Sequence, residues 1–194
     1  TAFTIPTGIE LTDAKGNTWI TQHEQVFREG YSAVEISATQ YSIVTGVTLG
    51  TSDGSVDQTF PLPLAYKNGS LSAVIAAQAW ELVETFGFSS ATDRHFLVKL
   101  TSSGIMNMIF GDGVNGAIPA NLADIVVSYH STEGPAGNTS KNTITTIVTS
   151  ITSPGVDHLE VTNNNDGFGG RDIEGLEELR RAIPIALRTL NRAV

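Results

Sequence analysis

Short runs in which apolar and polar positions alternate recur along most of this chain. Phe3–Ile5 and Thr18–Thr21 are two of them, parted by turn chemistry at Lys15-Gly16-Asn17. Across Ala33–Ile43, Val34 and Ile36 alternate with Glu35 and Ser37, the period of a strand with one wet face. From Gly46 to about Asp57 the chain turns to Gly, Thr, Ser and Asp, with Asp53-Gly54 as its clearest turn, which predicts a boundary near residue 48. Residues 58–63 must be extended, because Pro61 and Pro63 forbid a helix. Between Arg94 and Phe110, Phe96, Val98 and Leu100 alternate, Ser103-Gly104 turns the chain, and Met106, Met108 and Phe110 alternate on the return, which predicts a β-hairpin. Asp124–Tyr129, Thr143–Thr152 and Asp157–Val161 supply three further predicted strands.

Two segments carry helical spacing instead. Over residues 71–86, Leu71, Val74, Ile75, Leu82, Val83 and Phe86 fit one helix face and the alanines favour it. Leu71, Ala73 and Ile75 would equally serve one face of a strand after the Asn68-Gly69 hairpin signal, and pattern alone leans to the helix. At the end of the chain, Leu176, Leu179, Ile183, Leu187 and Leu190 recur every three or four residues. Asp172 can cap that helix, Glu174, Glu177 and Glu178 suit its positive end, and Pro184 bends or divides it. The fold class expected is therefore α+β and mainly β.

Composition narrows the functions. The chain has 194 residues, 40% of them hydrophobic, enough for one sizeable domain or two small ones. Only 16% are charged, while Thr, Ser, Asn and Gly abound, as in β proteins whose surfaces are hydroxyls and amides. The net charge is −9, but five of the 11 basic residues lie in the last 24, leaving six against 16 acidic ones in residues 1–170. Phosphate binding needs clustered cations, so nucleic acid is not an expected partner. There is no Cys, which excludes disulfides and thiolate metal sites and suits a reducing cytoplasm. No apolar run approaches the roughly 20 residues of a membrane helix, so no membrane partner is expected. The chain opens without Met on a strand-like run and closes in a helical pattern without a stop signal, as a piece excised from something longer would.

Several motifs carry chemistry in other proteins. Residues 50–54, Gly-Thr-Ser-Asp-Gly, match a nucleophile elbow, but that motif needs a helix after Ser52, and prolines follow. An ordinary polar turn is the better account. Residues 111–116, Gly-Asp-Gly-Val-Asn-Gly, match half of a dinucleotide site, yet Pro119 and the strand at Asp124 leave no room for the helix that receives a pyrophosphate. A tight glycine connection accounts for them. Asn163-Asn164-Asn165-Asp166-Gly167 suggests a calcium loop, but Ile173 stands where a bidentate Glu belongs, which leaves an irregular Ca²⁺ or sugar site or a plain loop. His23, His95, His130 and His158 lack close ligand-type neighbours, and Glu81 and Glu84 beside Trp80 are no glycosidase signal alone. No cofactor, metal or catalytic residue is therefore assigned. Arg181, Arg188 and Arg192 fall near one side of the terminal helix, where they can serve its dipole or a protein partner.

Three segments in order bear a family likeness. Ile5-Pro6-Thr7-Gly8 with Trp19-Ile20-Thr21, then Phe110-Gly111-Asp112-Gly113 with Gly116 and Pro119, come first and second. The third runs from Gly137-Asn138 through Ser153-Pro154-Gly155-Val156, Val161-Thr162-Asn163 and Gly169-Gly170-Arg171-Asp172 to Glu178-Leu179-Arg180-Arg181 and residues 187–194. Together they resemble the baseplate J-like family, the wedge proteins of contractile phage tails and related injection machines. Arg171, where a more variable residue is expected, and Pro184 depart from the family pattern.

The resemblance implies an architecture: residues 1–46 and 131–194 form a discontinuous β-rich host domain ending in the amphipathic helix, and residues 47–130 are an inserted antiparallel β domain. It also implies that residues 71–86 are strands with a turn containing Trp80, against the pattern. By the same likeness the chain is a structural, non-enzymatic wedge component of a virion tail baseplate, assembled in the host cytoplasm. Its partners would be other wedge subunits and neighbouring copies of itself, and its job to assemble the ring and pass on the contraction trigger. Arg181, Arg188 and Arg192, with Asp112 and Asn115 in the glycine turn, are the contact residues expected. The alternative is a carbohydrate-binding or adhesin β-module using an exposed Trp19 or Trp80; a third reading, an esterase, would use Ser52.

Overall fold

In the computed structural model, residues 2–63, 66–67, 69–101, 104–151 and 158–171 are described. They fall into two compact units, Thr1–Ile43 with His130–Arg171, and Val44–Tyr129. Among them the protein is mainly β. It contains two short 3-10 turns, Phe86–Phe88 and Gly134–Gly137, and no α-helix. The expected α+β class thus keeps only its β part here, and the terminal helix with Arg181, Arg188 and Arg192 lies outside the described residues.

The first unit holds β1 (Phe3–Ile5), β2 (Glu10–Asp13), β3 (Thr18–Thr21), β4 (Gln25–Phe27), β5 (Ala38–Gln40) and β13 (Ile144–Ile147). β1 and β4 form a two-stranded ribbon, and the others a sheet in the order β13-β2-β3-β5. Ile9, Leu11, Trp19 and Ile144 make its core. Asp13 is buried among them and accepts from the Lys15 and Asn17 amides, the Asn17 side chain and the Trp19 indole. Burial alone would raise its pKa, but these donors outweigh it and hold the carboxylate below its ordinary range. Asn163 ties the later segment down, its Oδ1 accepting from the Thr143 and Ile144 amides at 2.9 Å.

The second unit is built on a nearly closed seven-stranded sheet. Its strands are β6 (Ser42–Thr51), β7 (Thr59–Pro61), β8 (Ser72–Ile75), β9 (Gln78–Leu82), β10 (His95–Leu100), β11 (Met106–Phe110) and β12 (Asp124–Ser131). Their order is β6-β12-β8-β9-β10-β11-β7; β9 and β10 pair in parallel over two residues. The chain enters this unit within β6 and leaves it within β12. Closing the sheet brings its two edges together: a Cβ at Gly50 in β6 would stand 3.0 Å from the Phe60 ring in β7, so only glycine fits without displacing that ring. Phe96, Met108, Phe110, Ile125 and Val127 have no exposed surface. Phe110 is the hub, edge-on to Trp80 at 5.1 Å and to Phe60 at 5.9 Å, with Phe96 at 6.5 Å. Each such side chain contributes roughly 1.5–3 kcal/mol by burial.

The hairpin of residues 94–110 stands as expected, but four sequence expectations need correction. Residues 71–86 are not a helix: Leu71, Ala73 and Ile75 are buried while Ser72 and Val74 face out, and β8 pairs with both β12 and β9. Helix propensity of the alanines is outweighed by burial against a sheet. Trp80 lies inside β9, not in a turn; the turn is Ala76-Ala77, with φ of 49° and 59°. Residues 33–37 alternate in exposure as expected but join no ladder, and neither do residues 158–161. The composition change near residue 48 falls inside β6, whose Thr and Gly residues are strand residues.

The Ala76-Ala77 turn puts two alanines in the left-handed region that two-residue hairpins prefer to fill with Asn-Gly. Replacing Ala76 by Asn and Ala77 by Gly together is expected to raise unfolding stability by about 1 kcal/mol. Urea denaturation of the double variant beside the parent checks it, and a loss of stability would mean that the turn is not the left-handed pair described.

Candidate functional site

The loops of the second unit bring most of the chemically able side chains together. Phe110 ends β11 in the core, and the chain must then turn sharply at Gly111, where a Cβ would collide with the backbone of Asn115 and Gly116. Asp112 Oδ1 accepts from the Val114 amide at 2.8 Å and the Asn115 amide at 2.6 Å. Gly113 donates its N–H to the Gly116 carbonyl at 3.0 Å. The Asn115 and Val114 amides hold the Asp112 carboxyl below the ordinary carboxylate range. Asp112 is therefore a loop-former first, while Asn115 and Val114 are exposed.

A second loop, residues 84–94, is bonded to the first. Gly116 donates to the Ser90 carbonyl at 3.0 Å and Ala117 to the Asp93 carbonyl at 2.8 Å. Thr85 caps the turn Phe86–Phe88 by accepting from the Gly87 amide. The Phe86 ring lies 3.1 Å from where a Cβ on Gly116 would be. Asp93 accepts from the Ser90 amide at 2.7 Å, and that bond, with the nearby His95, keeps its carboxyl below the ordinary range. Phe88, at the tip, is 96% exposed, and Val114 is 70% exposed. Beside them a shallow groove is lined by Asp57, Glu84, Phe86, Lys99, Asp112 and Asn115.

One hydroxyl, one imidazole and one carboxylate meet near this tip, a grouping that sequence reading missed. Ser89 Oγ lies 2.8 Å from His95 Nδ1, and His95 Nε2 lies 3.8 Å from Glu81 Oε2. The parallel pairing of β9 and β10 sets His95 beside Glu81, which no local spacing encodes. A hydrolytic triad also needs donors for an oxyanion beside the hydroxyl. Here the Ser89 amide donates to the Phe86 carbonyl and the Ser90 amide to Asp93. The carboxylate end is largely solvated, with the Glu81 side chain 77% exposed.

The other sequence candidates lie apart from this tip cluster or serve the fold. Ser52 is buried, and its Oγ donates to the Pro119 carbonyl while accepting from the Gly54 amide and the Gln58 side chain. It ties the connection between β6 and β7 to the one between β11 and β12. In the first unit, Asn163 and Asp166 spend their side-chain oxygens on the Thr143, Ile144 and Lys141 amides. Among the described residues no group of three or more His, Asp and Glu is placed to hold a metal ion. His130 stacks on Tyr41 at 4.3 Å, and His158 lies 3.3 Å from Glu160. Trp19 and Trp80 are both buried, so neither is the exposed platform that the sugar-binding alternative requires. No helix of the described residues is long and apolar enough to cross a membrane.

Because the Asp112 carboxylate is stabilised by two amides, those bonds are present above the ordinary carboxylate pKa and are lost as pH falls through its lower value. In amide NMR spectra, the Val114 and Asn115 signals are expected to titrate together with a midpoint below about 3.9 and to lose that step in D112N. A midpoint at or above that value would contradict the loop geometry.

Comparison with protein-family models and with curated proteins finds no match to the chain.

Proposed function

We propose that this chain is a structural component of a contractile-tail baseplate wedge, joining neighbouring subunits and carrying the contraction trigger between them. The observation that supports the reading best is how the tip of the second unit is made. Asp112, Asp93 and Thr85 are used to fix its loops, while large apolar side chains, Phe88 and Val114, are held out in water on those loops. Exposed apolar groups on a rigid frame are expensive for a monomer and useful at an interface, because little conformational freedom remains to be lost on docking.

On this reading, residues 47–130 are a domain inserted into a host domain formed by residues 1–46 and 131–194, and it presents its tip to a neighbour. Asp112 shapes the contact loop and Asn115 and Val114 lie on its face. Arg181, Arg188 and Arg192 are the other half of the contact chemistry. The assembled location is the virion tail, reached from the host cytoplasm. Ser52 and the Ser89–His95–Glu81 group act in the frame rather than on a substrate. The sugar-binding alternative is not favoured by any exposed tryptophan.

Gold-labelled antibody against this chain is expected to decorate the baseplate end of contractile tails in electron micrographs. Labelling absent from such particles, with the chain recovered free of them, would contradict the reading.

A further inference from the structure

We propose that the tip of the seven-stranded unit docks the arginine-bearing residues 179–194 of a second copy of this chain, an inference that rests on reading the chain as an assembly component. The tip offers two kinds of chemistry side by side. Phe88 and Val114 are apolar and exposed, and the Phe86 ring lines the groove close to Gly116. The groove, which Gly87 and Asn115, the chain neighbours of Phe88 and Val114, help to line, carries the carboxylates of Asp57, Glu84 and Asp112 against one cation, Lys99. Among the described residues neither Asp57 nor Glu84 has a side-chain partner. An occupant must therefore bring apolar groups and positive charge together.

Within the chain's own sequence, residues 179–194 do this. They carry Arg180, Arg181, Arg188 and Arg192 and no acidic residue, interleaved with Leu179, Ile183, Leu187 and Leu190. The rest of the chain is strongly acidic, and elsewhere its few cations are scattered. Arginine suits this tip in particular, since a guanidinium can pair with a carboxylate and stack on a phenylalanine ring at the same time. A tip on one copy receiving the terminal segment of the next is a head-to-tail contact, the kind that generates a ring when its rotation closes.

Sedimentation velocity on the full chain, at low and at physiological salt, tests the contact with charge reversals. The parent is expected to self-associate, more weakly as salt rises. E84K with D57N should weaken association about tenfold, as should R181E with R188E, because each places like charge against like. Combining E84K with R181E and R188E should recover most of the loss. Near-UV circular dichroism of each variant confirms that the fold persists. A chain that stays monomeric at every concentration overturns the proposal, including the case in which the segment folds back on its own copy. Association indifferent to both reversals overturns it as well. Tail labelling is a separate readout, so a failure here leaves the wedge assignment to be decided on that result.

Discussion

Phe110 sets the terms for the second unit. Its ring packs near those of Trp80, Phe96 and Phe60, so the consecutive strands β9, β10, β11 and β7 meet on one side chain. With the core filled there, the chain has to leave β11 at once, and Gly111 can do so because it has no Cβ to strike the returning backbone. The loop that follows cannot pair into the sheet, and its amides are bonded instead to Asp112, Ser90 and Asp93. Rigid loops at the tip are thus a consequence of how the core closes, and not a separate invention.

That economy shapes what the polar residues can do. Ser52 holds Pro119, Gly54 and Gln58, and Asp112 and Asp93 each hold a loop amide. In the first unit Asp13 does the same for the turn before Trp19. A hydroxyl or carboxylate committed in this way keeps its neighbours in place, and buried groups of this kind cost more to leave unpaired than they contribute when paired. At residues 50–54 and 111–116, which match functional motifs in sequence, Ser52 and Asp112 bond loop backbone.

Much of this was legible in the residues, and the failures have physical causes. The hairpin of residues 94–110 showed itself because Phe96, Val98 and Leu100, and then Met106, Met108 and Phe110, recur at every second position and a Gly divides the two runs. The stretch 71–86 misled because Ala is the best helix former, while Ile75 and Trp80 find their partners in β12 and in the distant Phe110. β2 went unseen since Asp13 breaks its apolar face, and only the Trp19 indole and the Asn17 amide, reached through the fold, explain an acid there. Glycine clusters announced tight turns but not which loops they would fasten. The nearness of Ser89, His95 and Glu81 depends on a parallel register that no short window contains. Asp112 and Asn115 were picked out for contact by resemblance; Asp112 turns out to build the loop on which Val114 stands exposed.

The central claim is that the tip is a fixed surface, held by side chains that have given up other work. Native-state hydrogen exchange on the full chain addresses it directly. The amides of Val114, Asn115, Gly116 and Ala117 should exchange slowly, within reach of the protection seen for β10 and β11. Exchange of these four at the rate of an unstructured peptide, with the strands still protected, would show a mobile loop and contradict the account.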